Sequence, residues 1–328
     1  MTINIGIIGA GNMGRLHAGV LKKDERVNII GVTDIVIPKA QGLVESTGGR
    51  VFRNMEELLS ADVDAVYITT PNTQHAEVVL AALEKDIHVF CEKPMATSLK
   101  EAGHILEAAL ASKAVYQIGH NRRFAPAYQF LKKQIEAGFK PYLTNAKQND
   151  GDWLNPPWIQ DLSLTGGFLY ESSVHLLDML RWLMGDVVSV HAKAKANVYD
   201  VLNDFAIMLT FAGEYFAVFS SSAHASWAFP FEHIEIVGEH AFIRSEGLDR
   251  VVYSPGLNSE VVSYEYTQLS QEDKWGYREE NRLFISACLD KNPSEVNAKE
   301  AYKSIELCEA CYQSAANGGE EIKLPLCL

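Results

Sequence analysis

The sequence has no apolar segment long enough to cross a membrane. None of its apolar runs reaches the roughly 20 residues that a membrane-spanning helix needs. Residues 1–6 also lack the basic start and the long apolar stretch of a signal peptide. We therefore expect a cytoplasmic protein with no membrane partner.

Cysteine is scarce, and its number is odd. Five cysteines in 328 residues, without an export signal, argue against a disulfide framework. Cys308 and Cys311 form a C-x-x-C pair, but no second Cys or His pair at zinc-site spacing accompanies them. Because the pair falls in a helical pattern with apolar neighbours, we interpret both as packing residues and predict no metal site.

Basic residues are also fewer than acidic residues. The 29 Lys and Arg residues face 42 Asp and Glu residues, which gives a net charge of −13. Such a surface repels phosphate backbones, so we expect no nucleic-acid partner. A small anionic cofactor remains compatible, because helix N-termini bind anions locally. The length and the 47% apolar content are typical of a globular protein with two domains.

Apolar strands alternate with helical patterns over the first third of the chain. The predicted strands are residues 3–8, 27–33, 65–69, 87–91 and 115–118. The predicted helices are residues 12–23, 38–46, 73–85 and 98–112, with Thr73 as a cap and Glu101 at a capping-box position. This alternation predicts an α/β fold with a doubly wound parallel sheet, a Rossmann domain over residues 1–120.

The pattern changes after residue 120. Helical spacing occurs at residues 124–137, 171–184, 274–290 and 298–316. Between them, strand-like runs cover residues 187–196, 205–211, 215–221, 233–237, 241–245, 250–253 and 261–266. These runs predict a second α/β domain, residues 121–328, with a large open and mostly antiparallel sheet.

A glycine-rich loop follows the first strand and opens the first helix. It reads Gly9-Ala10-Gly11-Asn12-Met13-Gly14, a G-x-G-x-x-G in the context that makes this motif credible. Gly9 permits the tight turn, Gly11 lets the backbone approach a pyrophosphate, and Gly14 lets the helix pack close to the strand. We expect Asn12 and Met13 to lie beside the dinucleotide.

An acidic residue ends the second strand. Asp34 stands about 20 residues after the last glycine, where a carboxylate accepts hydrogen bonds from the adenosine ribose. It would repel a 2′-phosphate, and Ile35 and Val36 offer no compensating charge. The sequence therefore favours NAD over NADP.

Four further strings occur in order along the chain. They are Thr-Pro-Asn-Thr-Gln-His at 70–75, Glu-Lys-Pro-Met-Ala at 92–96, Gly-His-Asn-Arg-Arg-Phe at 119–124 and Gly-Gly-Phe-Leu-Tyr-Glu-Ser-Ser-Val-His-Leu-Leu-Asp at 166–178. With the glycine loop, this set resembles the glucose-fructose oxidoreductase / inositol dehydrogenase / rhizopine catabolism (Gfo/Idh/MocA) family. The resemblance implies NAD(P)-dependent oxidation or reduction of a carbinol on a sugar, cyclitol or related polyol.

The resemblance also implies the reacting groups. Lys93 matches the lysine beside the nicotinamide, and His175 matches the catalytic histidine. Glu171 stands where the family commonly has Asp, one methylene longer, and Ser173 replaces a frequent glycine. Alcohol oxidation needs a base for the hydroxyl proton while hydride leaves the carbon. We therefore expect Lys93 to act as general base, with His175 and Glu171 as proton relay or hydroxyl ligands.

Other residues are expected to line the two binding sites. Around the cofactor these are Thr70, Pro71, Asn72, His75 and Glu92. Around the substrate, family analogy suggests Asn121 and Arg122, and the polar loop 152–158 suggests Trp153 and Trp158, whose rings could face a sugar.

Three alternatives stay open at this point. They are an NAD-dependent glycosidase on the same scaffold, an NADPH-dependent imine or keto reductase, and a non-catalytic dinucleotide sensor. The resemblance also implies a homodimer or homotetramer formed through the open sheet, because one sheet face needs cover.

Overall fold

A computed structural model describes residues 2–152, 157–226 and 231–326 of the protein. Trp153, one of the predicted substrate residues, lies outside these described residues. The described chain divides into two compact units. The first comprises residues up to His120 together with Tyr277–Ile305, and the second comprises Asn121–Gly276 with residues from Glu306 onward.

The elements up to residue 120 alternate between strand and helix. The strands are β1 (Ile3–Ile8), β2 (Val27–Thr33), β3 (Arg50–Val51), β4 (Ala65–Ile68), β5 (His88–Glu92) and β6 (Tyr116–Gly119). The helices are α1 (Asn12–Leu21), α2 (Ile37–Thr47), α3 (Met55–Leu59), α4 (His75–Leu83) and α5 (Leu99–Ala111). A 3₁₀ turn at Asn72–Gln74 precedes α4, so Thr73 lies inside this turn and is not the helix cap.

The second unit is built from strands and shorter helices. Its helices are α6 (Pro126–Glu136), α7 (Leu162–Thr165), α8 (Val174–Met184) and α9 (Gln271–Lys274), with 3₁₀ turns at Asn121–Phe124 and Pro157–Gln160 and a π-helical turn at Leu169–Ser173. Its strands are β7 (Leu143–Asn149), β8 (Val187–Lys195), β9 (Asp204–Phe211), β10 (Phe216–Ser222), β11 (Glu232–Val237), β12 (Phe242–Glu246), β13 (Arg250–Ser254), β14 (Val262–Glu265) and β15 (Ile322–Lys323). Helices α10 (Tyr277–Asp290) and α11 (Ala298–Ala316) complete the chain.

The first sheet confirms the predicted Rossmann architecture. Among the described residues its six strands are all parallel and lie in the order β3-β2-β1-β4-β5-β6. The order reverses between β1 and β4, and ligands of open α/β sheets bind at the carboxyl ends of strands at such a point. The glycine loop after β1 and the Glu92–Lys93 segment after β5 therefore share one edge of this sheet.

Helix α10 returns to the first unit. Its residues Phe284, Ile285 and Cys288 are buried in the same core as the apolar residues of β1, β2 and β4. The predicted domain boundary at residue 120 does not assign α10 to the first domain. The predicted helix 274–290 begins at Tyr277, as α10, and Lys274 instead ends the short helix α9. Between the two, Gly276 adopts φ +82°, and a Cβ there would lie 2.4 Å from the Asn121 carbonyl oxygen.

The second sheet is mostly antiparallel, as predicted. Its described strands lie in the order β14-β13-β12-β11-β7-β10-β9-β8-β15, and only the β7–β10 pair is parallel. Strand β7, at the centre, was not predicted. Its inward side chains, Thr144, Ala146 and Gln148, are small or polar and leave no apolar alternation to detect.

One face of the second sheet carries exposed apolar side chains. Met208 and Val218 are paired across β9 and β10 and are 41% and 45% exposed, and Phe216 is 46% exposed. The homodimer or homotetramer expected from this face stays a prediction. Separately, no described helix combines the length and apolar character that crossing a membrane requires.

Candidate active site

The glycine loop has the backbone geometry that a dinucleotide needs. Gly9 adopts φ +102°, and a Cβ there would lie 2.6 Å from the Thr69 carbonyl oxygen. A Cβ on Gly14 would lie 2.2 Å from the Gly9 carbonyl oxygen. A Cβ on Gly11 would meet no atom within 4 Å, so this position is open on the side where a cofactor would approach.

The first turn of α1 suits an anion. It contains no acidic side chain, although acidic residues are favoured at helix N-termini. Asn12 is exposed and Met13 is half-buried beside this turn. The free backbone N–H groups of this turn are the donors that a diphosphate would accept. The loop therefore fits the cofactor that the sequence predicts.

Asp34 lies next to the loop. Its Oδ2 accepts a hydrogen bond from the Ala10 N–H at 2.7 Å, and its Oδ1 accepts one from the Val36 N–H at 2.7 Å. The carboxylate keeps lone pairs for ribose hydroxyl donors. Ile35, which follows it, is 91% exposed and carries no charge that would attract a 2′-phosphate.

The segment after β4 contacts both the glycine loop and the Lys93 segment. The Thr69 hydroxyl donates to the Gly9 carbonyl at 2.8 Å. His75, fully buried at the start of α4, has Nδ1 2.7 Å from the Pro94 carbonyl and Nε2 2.9 Å from the Thr70 carbonyl. His75 therefore joins two loops of the site through backbone carbonyls. Pro71 is half-buried and Asn72 is buried in the same segment.

His75 should make stability pH-dependent. Burial lowers its pKa below 6.5, although the two carbonyl acceptors and Glu92 favour the charged ring. On acidification the unfolded chain binds this proton near pH 6.5, while the folded protein does not until lower pH. Stability is therefore lost as pH falls below about 6.5. Between pH 6.5 and 5.5 we expect a loss of up to about 1 kcal/mol from this residue.

Urea unfolding at the two pH values measures this loss. In His75→Gln the fall in unfolding free energy should be smaller than in the wild type by that amount. His104→Gln, which removes an exposed histidine of α5, is the control for the loss of an imidazole elsewhere in the domain. Equal pH dependence in His75→Gln and the wild type would contradict a lowered His75 pKa.

Lys93 follows directly on β5 and is half-buried. Its backbone N–H donates to Glu92 Oε2 at 3.1 Å, and the next carbonyl, that of Pro94, is bound by His75. Glu92 is buried, and its Oε1 lies 2.8 Å from His17 Nε2. Burial alone would raise the pKa of Glu92, but the His17 hydrogen bond and charge, with the Lys93 charge, hold that pKa below its ordinary value.

His17 and Asn281 were not predicted to have a role, yet the structure brings both to this carboxylate. His17 Nδ1 lies 3.2 Å from Asn281 Oδ1, and both side chains are buried. His17 lies three residues after Gly14 on the buried side of α1, and that placement was the only available signal. Asn281 lies far along the chain on α10, and nothing in its local sequence marks it.

His175 and Glu171 lie in the second unit, on consecutive elements. Glu171 is half-buried within the π-helical turn, and His175 is buried in the first turn of α8. The segment is fixed in place by several contacts. Gly167 adopts φ +121°, Gln148 Nε2 donates to the Ser172 hydroxyl at 2.8 Å, and the Ser173 hydroxyl lies 2.8 Å from that of Ser221.

The predicted substrate residues Asn121 and Arg122 take part in a buried cluster of the second unit. The Arg122 guanidinium donates to Glu232 Oε2 at 3.0 and 3.2 Å and stacks over the Trp275 ring at 4.8 Å. Asn121 Nδ2 donates to the Trp275 carbonyl at 2.8 Å. These contacts hold both side chains within the interior of the second unit. Trp158 is 41% exposed, and its substrate role stays a prediction.

The C-x-x-C pair lies inside α11. Cys308 and Cys311 are buried free thiols, and burial raises the pKa of both. Among the described residues, no three His, Cys, Asp or Glu side chains are arranged to hold a metal ion.

Two family models match most of the chain. Residues 3–120 match "Oxidoreductase family, NAD-binding Rossmann fold", and residues 133–324 match "Oxidoreductase family, C-terminal alpha/beta domain". Residues 3–120 therefore form an NAD-binding Rossmann domain.

Individual proteins resemble the whole chain. An uncharacterized oxidoreductase, YrbE, of Bacillus subtilis is 32% identical over 95% of this chain and 94% of its own length. Inositol 2-dehydrogenase 3 of Saccharopolyspora erythraea is 31% identical over 97% of this chain and 94% of its own. The solved structure of a levoglucosan dehydrogenase with NADH and levoglucosan shares the fold, with a TM-score of 0.89 and 20% identity over 99% of this chain and 100% of that one.

Proposed function

Because the chain belongs to the Gfo/Idh/MocA oxidoreductase family, we propose that it transfers a hydride between NAD and a hydroxyl-bearing carbon of a sugar, cyclitol or related polyol. The relative named inositol 2-dehydrogenase 3, 31% identical over nearly the whole chain, supports a cyclitol or polyol substrate.

One observation carries this proposal. Lys93 stands at the carboxyl end of β5, on the sheet edge that also carries the glycine loop, and the backbone on both sides of it is bound by buried side chains. A side chain fixed at this edge can face a cofactor-bound substrate in this fold. A surface lysine without a function does not require its neighbouring backbone to be held by two buried side chains.

Each candidate residue then has a separate task. A bound NAD+ would supply the acceptor for the hydride that leaves the substrate carbon. Lys93, in its neutral form, takes the proton of the substrate hydroxyl and returns it in the reverse direction. His175 passes this proton onward, and Glu171 binds a substrate hydroxyl or assists the relay. Trp153 and Trp158 bind the substrate, and Asn121 and Arg122 border its site.

The cofactor residues divide between the two ends of NAD. The α1 amides beside Gly11, Asn12 and Met13 would hold the diphosphate, and Asp34 would hold the adenosine ribose. Thr70, Pro71, Asn72, His75 and Glu92 would border the nicotinamide end of a bound NAD. Because Asp34 repels a 2′-phosphate, NAD is preferred to NADP.

The test is an initial-rate assay with NAD+ or NADP+ and a panel of myo-inositol, other cyclitols, hexoses, sugar phosphates and glycosides. We expect formation of reduced cofactor with NAD+ and with one substrate class, and a much weaker signal with NADP+. Tight NADH binding without oxidation of any panel member would contradict the proposal. Glycoside cleavage without net reduction of NAD+ would instead identify a glycosidase on this scaffold.

A further inference from the structure

His17 is a fully buried polar side chain within an aromatic cluster of the NAD-binding domain. Its ring centroid lies 4.8 Å from that of Phe90, 5.5 Å from that of Tyr67 and 6.0 Å from that of Tyr277. An imidazole buried in this way needs hydrogen-bond partners for its nitrogens. Both of its nitrogens have such partners.

The Nε2 side faces a carboxylate. Nε2 lies 2.8 Å from Glu92 Oε1, and because an ionised carboxylate only accepts hydrogen bonds, this nitrogen carries the proton. The bond therefore fixes the orientation of a carboxylate that has its pKa held below the ordinary value.

The Nδ1 side faces an amide that can serve either protonation state. Asn281 Nδ2 lies 3.0 Å from His17 Nδ1, and Asn281 Oδ1 lies 3.2 Å from it. The amide donates from Nδ2 when the ring is neutral and accepts at Oδ1 when the ring is charged. Asn281 is itself held by a 2.7 Å bond from Nδ2 to the Tyr277 carbonyl.

The other oxygen of Glu92 contacts the backbone of Lys93, the proposed base. Oε2 accepts the Lys93 backbone N–H at 3.1 Å. On the neighbouring strand Gly119 pairs with Glu92, and a Cβ at Gly119 would lie 3.1 Å from Oε2, so the carboxylate lies against a position where glycine leaves room for it. A continuous set of contacts thus runs from Asn281 through His17 and Glu92 to the backbone of Lys93.

We propose that His17 is a positioning residue for Lys93, acting through Glu92; this rests on the proposed function, in which Lys93 is the general base. His17 lies on α1, the helix whose N-terminus would hold the diphosphate of a bound NAD. It therefore ties the helix that binds the cofactor to the residue that moves the proton. Without the Nε2 bond, the buried Glu92 carboxylate would reorient and the Lys93 backbone would lose its fixed partner.

Two amide variants separate this role from simple packing. In His17→Gln the side-chain amide reaches the position of Nε2 and keeps a donor for Glu92. In His17→Asn the amide reaches only the position of Nδ1, so the Asn281 contact is kept and the Glu92 bond is lost. A misplaced reacting group typically costs up to about 100-fold in rate. We expect His17→Asn to lower kcat by about 10- to 100-fold and His17→Gln by only a few-fold.

NADH affinity, from protein fluorescence, should stay within a few-fold of the wild type in both variants. His104→Gln, on the exposed face of α5, is the matched control and should change nothing. Equal kcat losses in the two His17 variants, or losses that simply follow their melting temperatures, would overturn the proposal. In a Lys93→Met background, residual turnover should no longer respond to His17→Asn, and a full further loss there would also overturn it.

A second readout does not depend on turnover. An amine-acylating reagent modifies Lys93 at a rate that depends on the surroundings of this residue. Peptide mass spectrometry measures this rate, which is then divided by the rate at exposed Lys100. This ratio should change at least a few-fold in His17→Asn and much less in His17→Gln. If the wild type oxidises no polyol, the proposed function fails, yet this ratio still tests the His17 contact. An unchanged ratio in both variants would reject the positioning role.

Discussion

Replacing Lys93 with methionine is expected to lower kcat by about 100- to 10,000-fold, the usual contribution of a general acid–base group. Methionine has nearly the length of lysine but cannot take a proton. The backbone contacts of Lys93 with Glu92 and of Pro94 with His75 involve no atom of the lysine side chain, so the variant should keep its loop. The dissociation constant for NADH should therefore change only a few-fold.

Lys100→Met is the control for this experiment. Lys100 is exposed on α5 in the same domain, so its loss removes an equal charge at a distance from the sheet edge. Initial rates with the best polyol of the panel and NADH titrations should be measured for both variants. A Lys93→Met enzyme with nearly full kcat would show that another group takes the proton. A parallel loss of NADH binding would show that Lys93 binds the cofactor and would leave its role as base unsupported.

Features set by short stretches of sequence were predictable. The glycine loop lies between a strand and a helix and Asp34 lies after a strand, and this local context was predicted from short stretches of sequence. Ser98 caps α5 and pairs with Glu101 over three residues, which is the local pattern of a capping box. The alternation of strands and helices predicts the parallel sheet because each apolar run is buried on both faces.

Features that depend on distant partners were not predictable. The separation of His17 and Asn281 is 264 residues, and their contact exists only because α10 returns to the core of the first domain. Arg122 was predicted to border the substrate site, and nothing near it in sequence reveals that Glu232 pairs with it 110 residues later. In both cases the tertiary fold determines which residues come into contact. A motif of neighbouring residues contains no information about such a distant partner.

Three glycine-to-alanine variants should separate cofactor binding from folding within one helix. In Gly14→Ala the new methyl would lie 2.2 Å from the Gly9 carbonyl oxygen. Because this oxygen belongs to the backbone of a tight turn, moving it away costs free energy of folding. We expect a loss of about 1–3 kcal/mol in unfolding free energy. In Gly19→Ala, also in α1, the methyl meets no atom within 4 Å, and the variant should gain roughly 0.5–1 kcal/mol.

Gly11→Ala is the decisive member of this series. Its methyl also meets no protein atom within 4 Å, and its φ of −72° suits alanine, so the unfolding free energy should stay within about 0.5 kcal/mol of the wild type. The same methyl would project where the backbone must approach the diphosphate, so the affinity for NADH should fall by about 10- to 100-fold. Urea unfolding and NADH titration of the three variants measure both effects. If Gly11→Ala binds NADH as tightly as Gly19→Ala does, the diphosphate does not lie against this loop, and the assignment of the cofactor site to the N-terminus of α1 is wrong.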